Sequence, residues 1–397
     1  MQIQFLTSIL DCSASEWDAL WPLTYPFTKH AFLAALETSG STTAETGWQP
    51  AHVLVRQNGQ VVAVMPLYQK SHSYGEYVFD WSWADACQRA GIQYYPKLLC
   101  AIPFTPATGP RLGFIASLTT AQKQEAVQTI EQAVQEKLEQ LGGSGFHCLF
   151  PSAKERPLFS NEKYAQRQGC QFHWFNANFE SFDDFLSTFN SRKRKNIKRE
   201  RQKVVEQGLC FNMRLAAELN SDDWKSFYLL YQRTYFKRSG HQGYLTADFF
   251  QQLAKALPQQ VLLCSAHKHN LDSPMVAGAL YLRDNSTLYG RYWGTQEDLD
   301  GLHFETCYYQ GIDYAIKEKL QRFDPGAQGE HKIQRGFTPV KTCSYHWLKI
   351  PELHNAVKHF VVEEQQHNNA YCEDGRRYLP FKEGCNVVSS EKLLENF

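Results

Sequence analysis

Twice along this chain the hydrophobic repeat changes from every second residue to every third or fourth, then back again, and few folds accommodate that order. In the first half, PAHVLVRQ and QVVAVMPLYQ flank Asn58–Gly59, a dipeptide suited to a tight hairpin, and KLLCAIPF supplies a further strand. Val127, Ile130, Val134, Leu138 and Leu141 then recur at helical spacing, so the pattern predicts a helix over Thr120–Leu141, stopped by Gly142–Gly143–Ser144–Gly145 before the strand GFHCLFP. Short helices are expected at Ser15–Leu20, Lys29–Thr38 and Asn161–Gln168, and CQFHWF reads as a strand. The second half repeats the rhythm: helices from Ser181, over Asp222–Lys237 and over Ala247–Ala256, then strands QVLLCSA, MVAGALYL and TLYGRYWG, a helix at His303–Leu320 and a last strand, TCSYHWL. Only the order of elements recurs, not the residues. A length of 397 residues suits two domains, expected at 1–178 and 179–397, with mixed, largely antiparallel sheets flanked by helices. The segment after Val362 is polar and reads as partly unstructured as far as RRYLPF.

Charge and cysteine content narrow the partners. Lys+Arg and Asp+Glu both total 41, so any electrostatic partner must be met by a local patch. The 11 cysteines include no CxxC pair, which argues against a zinc knuckle or a thioredoxin motif, and several lie in apolar runs as reduced thiols do. No metal site is expected. MQIQFLTSILDCSASEW has no basic leader, and no apolar run reaches the ~18 residues of a membrane span, so a cytoplasmic protein is expected.

Three stretches carry a resemblance: KSHSYGEYVFDWSWADA with YYPKL and PFTPATGPRL; LYGRYWG with HFETCYYQGIDYAI; and RFDPGAQGEHKIQRGF. The chain resembles the FemAB-like family of bacterial proteins, named for peptidoglycan biosynthesis or recognition, within the GNAT-like acyltransferase superfamily. The resemblance implies two tandem GNAT-like (acyl-CoA N-acyltransferase-like) domains. It also implies transfer of an acyl or aminoacyl group to an amine of a peptidoglycan precursor or peptide, with aminoacyl-tRNA as donor and no tightly bound cofactor. A lipid-linked acceptor would bring the protein to a membrane periphery. Acetyl-CoA is the less favoured donor. Between TLYGRYWG and His303, where CoA-using relatives place a glycine-rich loop, this chain has TQEDLDGL, and Glu297, Asp298 and Asp300 would repel a pyrophosphate there. Two alternatives stay open: a non-catalytic peptidoglycan- or RNA-binding protein, and an acetyl-CoA-dependent N-acetyltransferase.

Acyl transfer to an amine needs a base, charge stabilisation at the carbonyl oxygen and alignment of two substrates. Glu330 and His331 are candidates for base and proton shuttle, with Gln328, Lys332 and Arg335 beside them for a phosphate; the alternative is a charged surface turn. His303 and Glu305 are further catalytic candidates; they open a helix, where residues two apart face opposite ways, so both line one site only if the helix starts later, the alternative being a Glu on the helix dipole and a solvated His. Tyr289, Arg291 and Trp293 share one strand face, either as an anion site or as a stacked structural arginine. In the first half, Asp80, Trp81, Trp83, Asp85, Tyr94, Tyr95 and Lys97, with Arg111 downstream, suit an acceptor groove for sugar or peptide, or else an aromatic core. SRKRKNIKRERQK holds eight basic residues and one acid; Arg192, Lys193, Arg194, Lys195, Lys198 and Arg199 are candidates for tRNA or anionic substrate, against a merely solvated helix.

Overall fold

The chain opens with β1 (Gln2–Leu6), α1 (Ala14–Asp18) and α2 (His30–Thr38), followed by β2 (Trp48–Pro50), β3 (His52–Gln57), β4 (Gln60–Met65) and β5 (Tyr68–Lys70). Asn58 and Gly59 take φ values of 51° and 81°, the left-handed pair that a two-residue hairpin turn requires, and β3 pairs antiparallel with β4 across them. Next come α3 (Trp81–Arg89), β6 (Lys97–Cys100), β7 (Gly113–Phe114), α4 (Thr120–Leu141) and β8 (Gly145–Leu149). Thr119 and Gln122 cap the start of α4 reciprocally, and Gly142 ends it at φ 61°. Its stripe of Val127, Ile130, Val134 and Leu138 shares one core with Val53, Leu98, Cys100 and Phe146.

The chain then enters β9 (Ala165–Phe175), at which the computed structural model divides into two units; it describes residues 1–22, 24–159, 162–327, 329–385 and 387. Met1–Gly169 and Lys341–Ala370 belong to the first unit, and Cys170–Val340 with the segment from Tyr371 to the second. The second unit contains α5 (Phe182–Ser187), α6 (Ser191–Glu206), β10 (Leu209–Leu215), α7 (Ser221–Ser239), α8 (Ala247–Ala256), β11 (Val261–Lys268), β12 (Met275–Arg283) and β13 (Thr287–Thr295). After β13 come α9 (Leu302–Phe304), a π-helical turn at Glu305–Tyr309, α10 (Gln310–Lys317) and β14 (Arg322–Asp324). Strands β10 to β13 form an antiparallel run in sequence order; β13 pairs parallel with β14, and β14 antiparallel with the end of β9. Trp174, Phe185, Leu262, Tyr281, Ile312 and Phe323 lie in the core of this unit.

β15 (Thr338–Leu348) and α11 (Pro351–Arg377) follow. Ser344–Leu348 pairs antiparallel with β8, extending a first-unit sheet in which β8 runs parallel to β6 and β6 antiparallel to β5. Mixed, largely antiparallel sheets flanked by helices are what the patterning implied.

Several elements differ from expectation. Residues from Ala165 onward form strand rather than the helix expected at 161–168: Gly169 weakens a helix there, and Trp174 and Phe175 pair with β14. Asn161 itself lies outside the described residues. The helix expected from Ser181 is two helices, because Asn190 leaves helical geometry and caps α6, accepting from the Lys193 N–H. The segment after Val362 is helical to Arg377; it continues a helix anchored upstream by Val357 and Val361, which share a core with Trp83 and Tyr94. The division placed at 178 also moves: Lys341–Ala370 returns to the first unit because β15 pairs with β8.

Candidate functional site

β13 and β14 are in register only from Thr287 opposite Arg322 to Tyr289 opposite Asp324, after which they part. At the parting, β12 and β13 slip register between Leu280 and Tyr281, leaving Arg291 as the extra residue of a bulge. Arg291 turns its guanidinium into the opening: Nη2 lies 2.9 Å from Asp324 Oδ2, and Nη1 donates to the carbonyls of Gly290 at 2.7 Å and Asp324 at 3.2 Å. Burial alone would raise the Asp324 carboxyl, but Arg291 and then His173 hold it well below the usual range. The Gly326 N–H adds a bond to Asp324 Oδ1 at 2.9 Å, at a turn whose φ of 91° suits glycine. Lys332 donates from Nζ to the Gly326 carbonyl at 2.8 Å; its burial draws the amine down to about 7, against the pull of Asp324.

Beside this pair lies a cluster of imidazoles and rings. Tyr308, on the π-helical turn, places its hydroxyl 2.9 Å from His331 Nε2. His303 sits 5.2 Å from Trp293, 5.4 Å from Tyr308 and 6.0 Å from His331, measured between ring centres. Burial, then His331 and Arg238, lowers His303 to about 3; desolvation of its ring, then Lys332 and Arg335, lowers His331 to about 4. Both imidazoles are therefore neutral at pH 7. Arg335 lies 3.4 Å above the Phe304 ring and grips both Glu200 oxygens at 2.8 and 3.0 Å.

An open cleft of about 520 Å³ adjoins the cluster, lined by Arg233, Lys237, Arg238, Trp293, Thr295 and His303 among others. The acids expected to repel a phosphate here are each matched by a lysine. Asp298 bonds Lys237, Asp300 lies 3.2 Å from Lys203, and Glu297 lies 2.8 Å from Lys268. The loop thus carries little uncompensated negative charge to set against a pyrophosphate.

Other sequence candidates stand elsewhere. Glu330 is exposed and accepts from the Tyr371 hydroxyl at 2.8 Å. Glu305 is buried and held by Arg201 at 2.9 Å and Gln310 at 2.8 Å, on a different side of the helix from His303. Gln328 lies outside the described residues. In the first unit, the expected groove splits into a buried layer and an exposed one. Lys97 Nζ lies 2.5 Å from Asp80 Oδ2 and 2.9 Å from Glu76 Oε2, and the Tyr94 hydroxyl donates to Asp80 at 2.6 Å, all buried together with Trp83. Arg111 is fully buried and donates to the carbonyls of Leu149, Ala107, Gly109 and Pro110, so it braces a loop. Trp81 and Asp85 are exposed and Tyr95 half-buried; Tyr74, also exposed, stands 4.8 Å from the Trp81 ring. Sequence reasoning passed over Asp324, His173, Tyr308, Glu76 and Glu200. The only signal for Asp324 was its place before the Pro325–Gly326 turn.

On α6, Ile197 and Val204 face inward and the cations outward. Lys198 pairs with Asp183 at 2.8 Å, Lys193 bonds Gln334, and Arg201 grips Glu305 and Asp313. Among the described residues, Arg192, Arg194, Lys195 and Arg199 have no carboxylate partner. Among the same residues no group of His, Cys, Asp or Glu is placed to hold a metal ion, and no helix is long and apolar enough to cross a membrane.

Comparison with known proteins adds to this picture. The profile of the FemAB-like family, described as peptidoglycan biosynthesis/recognition, matches residues 8–383. No curated protein sequence matches the chain. Among solved structures, FemX is similar with a TM-score of 0.51 at 12% identity, over 90% of this chain and 100% of that one. The C-terminal domain of a putative lysylphosphatidylglycerol synthetase from Agrobacterium fabrum has a TM-score of 0.51 at 8% identity, over 90% of this chain and 97% of its own. A tandem GNAT protein from the clavulanic acid biosynthesis pathway has a TM-score of 0.43 at 7% identity, over 88% and 99%. These likenesses are of fold.

Proposed function

Because the chain belongs to the FemAB-like family, we propose that it transfers an acyl or aminoacyl group from an activated donor to an amine of a peptidoglycan precursor or peptide. The observation that carries this reading is the parting of β13 from β14 beside a cleft lined by three cations and the neutral imidazole of His303, with His331 6.0 Å behind it.

Amide formation needs a group that takes a proton from the attacking ammonium. His303 and His331 are unprotonated at neutral pH and so free to accept a hydrogen bond from the amine, and the Tyr308 hydroxyl links His331 to the cluster; with values near 3 and 4 they act as relays for that proton and not as its resting place. In this reading the donor carbonyl lies along the β13 edge beyond Tyr289, where backbone N–H groups stabilise developing negative charge. Arg291 and Asp324 fix that edge, and Lys332 contributes an amine balanced near neutrality. Glu305 and Glu330 take no reacting role, since Arg201 and Tyr371 already occupy them.

Aminoacyl-tRNA is the proposed donor: Arg238 on the cleft and Arg192, Arg194, Lys195 and Arg199 on α6 offer a phosphate backbone cations that have no carboxylate partner among the described residues. The acceptor is proposed to lie on the exposed rings Tyr74 and Trp81, with Asp85 and Tyr95 beside them. Acetyl-CoA is the second reading for the donor, favoured by the lysines that neutralise Glu297, Asp298 and Asp300.

The test is transfer of radiolabelled amino acids from bulk charged tRNA to a purified precursor, run beside labelled acetyl-CoA. The expected result is product that requires tRNA and disappears after ribonuclease. Product from acetyl-CoA alone replaces the donor, and no product from either leaves the binding alternative.

A further inference from the structure

The basic segment SRKRKNIKRERQK holds one acid, Glu200, where a surface meant only for phosphates gains nothing from one. Its side chain is 35% exposed and lines an open recess of about 250 Å³ with Asn196, Arg199, Lys203 and Phe304 among others. A carboxylate there opposes a phosphate backbone. On a helix such an acid commonly pairs with a cation three or four places along. Glu200 does not: Lys203 turns to Asp300, and among the described residues the one cation paired with Glu200 is Arg335.

Glu200 stands at helical spacing with Lys193, Ile197 and Val204, and Ile197 and Val204 are the buried residues of α6. Two members of this stripe hold the 3-10 turn Glu330–Arg335. Lys193 bonds Gln334, and both Glu200 oxygens accept from Arg335 Nη2, at 2.8 and 3.0 Å. The same guanidinium donates from Nη1 to the His331 carbonyl at 2.8 Å and lies 3.4 Å above the Phe304 ring. Arg335 is 5% exposed, so Glu200 is the counter-charge of a buried cation. Tyr309, on the π-helical turn, donates its hydroxyl to Glu200 Oε2. One carboxylate thus joins α6 to both turns that carry the cluster, the one bearing His331 and the one bearing Tyr308. The His331 ring itself is closely held: the Tyr308 hydroxyl lies 2.9 Å from Nε2, and a Cβ at Gly329, where φ is 119°, would come within 2.5 Å of the ring.

We infer that Glu200 is a positioning residue of the transfer site, which acts through Arg335 to fix the His331 ring beside Tyr308. Its effect on rate rests on the transfer reading; its hold on His331 does not. Without the carboxylate, Arg335 loses its counter-charge and the turn loses its tie to α6. The imidazole then no longer meets the amine at a fixed distance, so the rate falls. The cations that hold the donor, Arg192, Arg194, Lys195 and Arg199, are untouched by the change.

The experiment is nuclear magnetic resonance of the full chain with isotope-labelled histidine, the His331 signals being assigned with His331→Gln. Glu200→Gln should displace the His331 imidazole signals and leave those of His147, in the first unit, in place. Arg335→Gln, which leaves no buried charge unpaired, should displace them likewise, and adding Glu200→Gln to it should move them no further. In the transfer assay Glu200→Gln should lower kcat roughly ten- to hundredfold and hold the KM for charged tRNA within about twofold. His331 signals that keep their parent positions in either single variant, or move further in the double one, overturn the inference. So does tighter tRNA binding at unchanged kcat, which would make Glu200 a charge-balancing acid of the RNA face. Absence of product from every donor ends the transfer reading alone, and the imidazole signals, which need no substrate, still decide the tie to His331.

Discussion

Arg291 Nη2 and Asp324 Oδ2 lie 2.9 Å apart, with 2% and 1% of their side-chain surfaces exposed, at the point where two parallel strands cease to pair. Such a pair gains its Coulomb energy only while both partners remain. Asp324→Asn keeps the shape but leaves a buried guanidinium without its counter-charge, and should cost about 3–5 kcal/mol of unfolding free energy. Arg291→Met with Asp324→Leu removes both charges and should recover much of that loss. Urea denaturation of the three proteins checks this, and a double variant no better than the single one would show that the pair's worth is not mainly charge compensation.

Lys332 supplies a pH signature. Its folded-state value, drawn down to about 7 by burial, lies below that of an exposed lysine, about 10.4 when unfolded. Between those values the unfolded chain holds more protons, so stability rises with pH across that window. At and below pH 7 both states are charged and the full penalty of burying the ammonium applies. Lys332→Met should therefore stabilise the protein most near pH 6–7, by on the order of a few kcal/mol, with the gain vanishing toward pH 10. Urea midpoints at three pH values decide it; a gain that does not change with pH would locate the effect in packing.

Trp81 carries the acceptor reading in the first unit. It is exposed and 4.8 Å from Tyr74, whereas Trp83, two residues on, is buried against His346 at 4.9 Å. Trp81→Ala should raise the KM for a peptidoglycan precursor roughly tenfold while leaving the melting temperature nearly unchanged, as expected for a lost ring contact worth about 1.4 kcal/mol. Trp83→Ala should lower the melting temperature instead, through a buried cavity. If Trp81→Ala leaves KM unchanged, the acceptor does not lie on that shelf.

Most of the fold was legible because periodicity reports which face of an element is buried. The α4 stripe and the Asn58–Gly59 hairpin stand where the sequence put them, since each is specified within a dozen residues. What escaped was set by partners far along the chain. α11 looks polar alone, and its packing rests on Val357 and Val361, which share a core with Trp83 and Tyr94. The candidate site shows the same division. His303, His331, Arg291 and Lys332 stood out as chemically dense, but Asp324 gains its meaning only when β14 brings it opposite Tyr289 and within reach of Arg291. Charge density also misled: Arg111 and Lys97 read as ligands, yet carbonyls surround the first and carboxylates the second. Sequence counts charges, whereas burial and pairing decide which remain available.

That distinction makes a quantitative prediction for α6. Among the described residues Arg192, Arg194, Lys195 and Arg199 lack carboxylate partners, whereas Lys198 and Lys203 are already paired with Asp183 and Asp300. Binding to a single-stranded or duplex RNA backbone releases roughly 0.7–0.9 counterion for each phosphate neutralised. Changing the four unpaired cations to Gln should flatten the slope of log K against log salt by about 3. Changing Lys198 and Lys203 to Gln should flatten it by much less than the ~1.5 expected if both met phosphates, because their carboxylates compete for them. Filter binding of bulk tRNA over a salt series reads both slopes. Equal losses per residue in the two variants would mean that the surface pairs open freely on contact with RNA. No change in the first variant would remove α6 from the tRNA surface and, with it, the main support for a tRNA-borne donor.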